Sequence, residues 1–106
     1  MVQLVAGLLK LGFLTRAVAI VTLSGRNELG STFIQTIDRY ENTLLSNGGK
    51  LMLSGVSEPV YAQLDRTGML AKMGSENIYK ETSFLGESTQ RAFQDGQTWL
   101  VAQEVA

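Results

Sequence analysis

Residues Ala17 to Leu23 read AVAIVTL, a near-continuous apolar run rich in β-branched side chains and closed by Ser24-Gly25. A strand that faces water on one side alternates polar with apolar. A run like this one fits a strand covered on both faces, as in a mainly parallel sheet with helices above and below. That requirement restricts the rest of the chain, because parallel neighbours need crossover helices.

The downstream sequence supplies them. Phe33, Ile37, Tyr40 and Leu44 recur at spacings of four, three and four. They predict an amphipathic helix with Gln35, Asp38, Arg39 and Glu41 toward solvent. Asn47-Gly48-Gly49 ends it with residues suited to a left-handed C-terminal turn. Lys50 to Leu53 is a second short apolar run, and Ser57-Glu58-Pro59 follows as a helix start with a capping hydroxyl and an early proline. Val60, Tyr61, Leu64 and Leu70 give that helix its apolar positions, with Gly68 as a break before a last turn ending near Gly74. Asn77 to Tyr79 predicts a third, weak strand. A final helix from about Leu85 to Gln103 carries Ala92, Phe93, Trp99 and Leu100 on its apolar side. Strand and helix alternate throughout, which defines an α/β sheet of about three to four mainly parallel strands packed with helices.

Residues 1–16 differ in character. Val2 to Leu14, VQLVAGLLKLGFL, is strongly apolar but interrupted by Lys10 and followed by Arg16. It is short of the roughly 20 apolar residues that a spanning helix needs. It also lacks the basic start and small-residue cleavage site of a signal peptide. The expectation is a short apolar helical segment over residues 1–16, seated on a core, a membrane surface or another chain.

The chemistry available to 106 residues is narrow. The chain has no Cys and no His, so thiolate and imidazole nucleophiles, general bases and metal ligands are absent from it. No metal site and no cofactor are expected, and the chain reads as non-enzymatic. Nine Lys and Arg against ten Asp and Glu leave a net charge of −1, without the basic excess of a nucleic-acid binder. Glu76, Glu81 and Glu87 have no regular ligand spacing, and Met52, Met69 and Met73 read as core filling.

The segment of most functional interest is SGRNELGSTF, Ser24 to Phe33, which joins the carboxyl end of the first parallel strand to a helix start. In open α/β sheets, ligands gather at that end. Thr32-Phe33-Ile34-Gln35 fits a capping box, with Ser31 as an alternative cap. Unpaired amides at a helix start favour anions, so a phosphate on Ser31 or Thr32 would be tolerated there. Arg26 could pair with an incoming phosphate and Glu28 could oppose it, with Asn27 and Gly30 completing the exposed loop.

The segments AVAIVTLSGRNELGSTF, NGGKLMLSGVSEPVYAQLDRTGML and MGSENIYKETSFLGEST together resemble the later part of a STAS domain. STAS is the module shared by sulfate transporters and anti-sigma factor antagonists. The likeness is nearest to the cytoplasmic STAS domain of SulP-type bacterial anion permeases. It implies a STAS-like fold truncated at its N-terminal side, over residues 17–106. QLVAGLLKLGFLTR resembles a piece of the permease membrane domain. In the antagonist branch the matching loop carries a phosphorylated serine, which falls at Ser31, while Gly30 replaces that branch's Asp and Phe33 its Gly. The resemblance implies a non-catalytic regulatory module of a sulfate or other inorganic-anion transporter, at the cytoplasmic face of the inner membrane. The isolated chain would then be cytoplasmic or peripherally membrane-associated. The expected partner is the transporter membrane domain or another regulatory protein, and not nucleic acid. The alternative it implies is a free-standing antagonist-like switch regulated at Ser31. Nucleotide binding has been proposed for STAS domains, but no motif here adds to that. A sheet missing its first strands would also leave an edge open, so self-association through that edge or the apolar N-terminus is expected.

Overall fold

A computed structural model describes residues 3–11, 14–84 and 86–105. In chain order the elements are strands β1 (Gln3–Leu11) and β2 (Leu14–Thr22), helix α1 (Ser31–Ser46), strand β3 (Lys50–Val56), helices α2 (Glu58–Arg66) and α3 (Met69–Met73), a 3-10 turn (Ser75–Asn77), strand β4 (Ile78–Lys80) and helix α4 (Glu87–Val105). They form one open sheet in the order β1-β2-β3-β4. β2, β3 and β4 are parallel, and β1 runs antiparallel to β2.

The parallel core follows the apolar runs. Val18 to Thr22 pair with Lys50 to Ser54 in unbroken register. Alternate side chains of the two strands then serve opposite layers. Ala19, Leu23, Leu51 and Leu53 pack with Ile37 and Leu44 of α1, Val60 and Leu64 of α2, and Met69 and Met73 of α3. Val18, Ile20, Met52 and Tyr79 face α4, with Ala92, Trp99 and Leu100 against them. The sheet is thus covered on both faces, as the AVAIVTL run requires. α4 comes close because its residue 96 is glycine. A Cβ there would lie 3.0 Å from Val18 Cγ1 and 3.4 Å from Met52 Sδ. Near its middle α4 is tied to β4 by Tyr79, whose hydroxyl donates to Asp95 Oδ2 at 2.5 Å. Burial, then that carboxylate, raises the Tyr79 phenol well above its usual range.

Helix ends follow local chemistry. α1 closes with the Gly49 N–H on the Leu44 carbonyl and the Gly48 N–H on the Leu45 carbonyl, with Gly48 at φ 73°. That is the paired arrangement glycine allows at a helix C-terminus. α2 starts from Ser57, whose hydroxyl accepts the Val60 N–H. Gly68 (φ 83°) separates α2 from α3. Strand β4 is Ile78–Lys80, one residue beyond the expected Asn77–Tyr79.

Several expectations are corrected. The apolar segment within residues 1–16 is not a helix: Gln3–Leu11 is a strand, and Leu14 to Arg16 already belong to β2. Periodicity alone does not separate a short apolar helix from a strand. The deciding interaction is non-local, since β2 has a backbone edge to fill and Gly7 in mid-segment is a poor helix former. β1 covers the adjoining edge of β2, so the open edge expected of the sheet lies on β1. Phe93, expected on the buried side of α4, is 45% exposed, because Ala92 and Gly96 are the residues that turn toward the sheet. Glu41, expected in solvent, is buried at 4% exposure, whereas Tyr40 stands outward. The inward stripe of α1 is rotated by one position there.

Glu41 consequently titrates abnormally. Burial raises its carboxyl above the ordinary 4.5, partly offset by Lys72 and reinforced by Asp38. Lys72 of α3 forms its ion pair with Asp38, and Glu41 Oε2 is buried without a hydrogen-bond partner. The folded chain holds the Glu41 proton more tightly than the unfolded chain. This contribution to stability is complete below the unfolded value and is lost as pH rises through the higher folded value. Glu41→Gln should flatten that loss in denaturant midpoints measured between about pH 4 and pH 7. A variant that kept the parental slope would remove Glu41 as its source.

Candidate functional site

The residues from Ser24 to Thr32 stand at the carboxyl end of β2 and lead into α1. Their base is formed by the tight approach of two loops. Gly55, near the end of β3, has φ 65°, and a Cβ on it would lie 2.4 Å from Ser24 Oγ and 2.9 Å from the Ser24 backbone nitrogen. The Leu23 N–H donates to the Ser54 carbonyl at 2.9 Å. Beneath them the Thr22, Ser54 and Thr89 hydroxyls form a small network, with Ser54 to Thr89 at 2.8 Å and Thr22 to Ser54 at 3.0 Å. The buried Ser88 hydroxyl accepts the Gly55 N–H at 2.9 Å. The N-terminal turn of α4 is thereby joined to the ends of β2 and β3.

The loop itself is held by α2. The Leu29 N–H donates to Gln63 Oε1 at 2.9 Å, and Gln63 Nε2 donates back to the Leu29 carbonyl at 2.7 Å. One side-chain amide thus satisfies both backbone groups of a residue whose own side chain is buried. The Ser57 hydroxyl donates to the Arg26 carbonyl at 2.8 Å while capping α2. The Arg26 guanidinium stacks over the Phe33 ring, 5.6 Å from its centroid. Arg26 is half-buried, with Nε shielded from solvent and without a hydrogen-bond partner.

The six residues singled out in the sequence share this loop. Asn27, Glu28, Gly30, Ser31 and Thr32 are exposed, whereas Arg26 lies back against Phe33. The capping expectation is corrected. Gly30 is the residue that precedes the helix, and its carbonyl accepts the Ile34 N–H at 3.0 Å. Ser31 and Thr32 are therefore the first two helical residues, and neither is the cap. The first turn of α1 contains no acidic side chain. The first N–H groups of a helix have no intrahelical partner, and the two residues that begin α1 are exposed.

Sequence reasoning missed Gln63 and Leu29 as partners, since they are 34 positions apart. It also missed Ser88 and Thr89 beneath the loop. The one local signal was a buried-type residue, Leu29, set among polar ones. A cleft of about 130 Å³ adjoins this region, lined by Ser24, Ser88, Thr82 and Phe84 among others. Among the described residues no group of three acidic side chains is placed to hold a metal ion. None of their helices is long and apolar enough to cross a membrane. Comparison with protein-family models, curated proteins and solved structures finds no match.

Removing the Gln63 amide leaves the Leu29 backbone pair unsatisfied, a cost of about 1–3 kcal/mol. Gln63→Ala should lower stability by that amount and speed hydrogen exchange at the Leu29 amide more than in β3. Equal protection of Leu29 in variant and parent would show that the clamp does not hold the loop. Gly55→Ala should destabilise by a further mechanism, collision with Ser24 in a left-handed conformation, at a cost of about 1–3 kcal/mol in chemical denaturation.

Proposed function

We propose that this chain is a non-catalytic regulatory module of STAS type, related to the one SulP-family permeases of sulfate and other inorganic anions carry at the cytoplasmic face of the inner membrane. It acts by protein contact through the loop between β2 and α1. Residues 17–106 correspond in this reading to a partial STAS domain. β1 then occupies the side of the sheet where a complete domain carries further strands.

The observation that carries the reading is the construction of the loop. Its base is fixed by Gln63 and Ser57, while Asn27, Glu28, Gly30, Ser31 and Thr32 project into solvent from the carboxyl end of a parallel strand. A surface loop with a fixed frame and an exposed polar tip suits recognition, because little ordering entropy is lost on binding. The sequence likeness of the three segments flanking and following it supports the family. The partner proposed is the membrane domain of a SulP-type transporter.

The test is titration of isotopically labelled protein with such a membrane domain in nanodiscs. Amide shifts should concentrate in Gly25 to Phe33 and in the neighbouring Ser57 and Gln63. Unchanged loop resonances at saturating partner would overturn the proposal.

A second reading, a switch phosphorylated at Ser31, is favoured by one specific observation: Ser31 is the first, exposed residue of α1 and is not consumed as a cap. A negative group there meets the positive end of the helix. Ser31→Asp should stabilise the fold by about 0.3–1 kcal/mol at low salt. Mass spectrometry after incubation with a partner kinase separates the readings, since no phosphate on Ser31 or Thr32 leaves only the contact role.

A further inference from the structure

β1 is the end of the sheet. One of its edges pairs with β2 over nine positions, from Gln3↔Thr22 to Leu11↔Leu14. Its other edge has no strand partner among the described residues. Such an edge presents a row of unpaired N–H and C=O groups to any strand that can lie beside it. The two ends of this sheet are very different in that respect. β4 is three residues long and closes with Lys80-Glu81, a short charged edge of the kind that resists pairing. β1 is nine residues long, QLVAGLLKL, with no proline, a single charge at Lys10, and six positions filled by Leu, Val or Ala.

We infer that β1 is a homodimerisation strand, pairing antiparallel with β1 of a second copy about a two-fold axis to give one continuous eight-stranded sheet. Three features point to a second copy as the occupant. The strand is compatible with its own reversal: with Gly7 opposite its equivalent, Val5 stands opposite the second copy's Leu9 and Leu4 opposite its Lys10. The two lysines are then six positions apart, roughly 20 Å along the strand, and do not oppose each other. A net charge of −1 means that two copies approach with little repulsion. Finally, the pairing closes, because among the described residues the edges left on the joined sheet are the two short β4 strands. An isologous contact of this kind stops at two copies instead of propagating.

Sedimentation equilibrium of the full chain at tens of micromolar should give twice the 11.5 kDa chain mass. A sample mixing two isotope labels should show contacts between copies, confined to β1 and symmetric about Gly7. Ala6→Pro and Gly7→Pro sharpen the test, because consecutive amides of a strand point to opposite edges. The proline that removes the outward amide should leave the fold intact and the protein monomeric, whereas the other disturbs β1–β2 pairing. A monomeric parent chain, inter-copy contacts outside β1, or two folded proline variants that both remain dimeric would each overturn the inference. If both variants unfold, the contacts in the mixed-label sample decide it.

Discussion

Everything in this chain is arranged around the parallel pairing of Val18–Thr22 with Lys50–Ser54. Both strands are apolar toward both faces, so neither face can be left to water. α1, α2 and α3 close one side around Leu51 and Leu53, and α4 closes the other around Met52. The closure is tight on the α4 side because Gly96 has no side chain to hold the helix off Val18. The same pairing places the ends of β2 and β3 level with each other. That is why Ser24, Gly55 and Ser88 meet at a single point above the core.

The loop inherits its form from this meeting point. From Leu23 onward the chain has left the sheet, yet three contacts still fix its path: Leu23 on Ser54, Arg26 on Ser57, and Leu29 on Gln63. Between those contacts Gly25, Asn27 and Glu28 are exposed, whereas Ser24 and Arg26 are half-buried. The Arg26 guanidinium lies over the Phe33 ring and not forward at the tip. The exposed polar surface of the loop is thus built mainly from the Asn27 and Glu28 side chains and the first turn of α1.

The parallel layer was legible in the sequence because its signals are local and redundant. β-branched runs, Ser57-Glu58-Pro59, Gly48-Gly49 and Gly68 each declare their role within a few residues. The departures share one physical cause, that long-range contacts set the outcome. The first strand was ambiguous because QLVAGLLKL has the apolar content of either element, and only the edge of β2 distinguishes them. Glu41 reads as solvent-facing by charge, but it is buried, and Lys72, whose charge partly offsets that burial, comes from α3. Ser31 and Thr32 have good capping chemistry. The helix nevertheless begins from Gly30, because Gln63 fixes Leu29 one residue earlier. The loop as a region was visible, whereas the side chains that hold it were not.

The clamp between Gln63 and Leu29 also determines which changes the loop can accept. Its two bonds are made to backbone atoms, so they impose no identity on the neighbouring side chains. Asn27, Glu28, Ser31 and Thr32 can be exchanged without altering the frame, while adding or removing a residue between Arg26 and Leu29 would pull one anchor out of reach. The surface of this loop is therefore free to diverge by substitution but not by length. A library randomised at those four positions would present many surfaces on one unchanged scaffold.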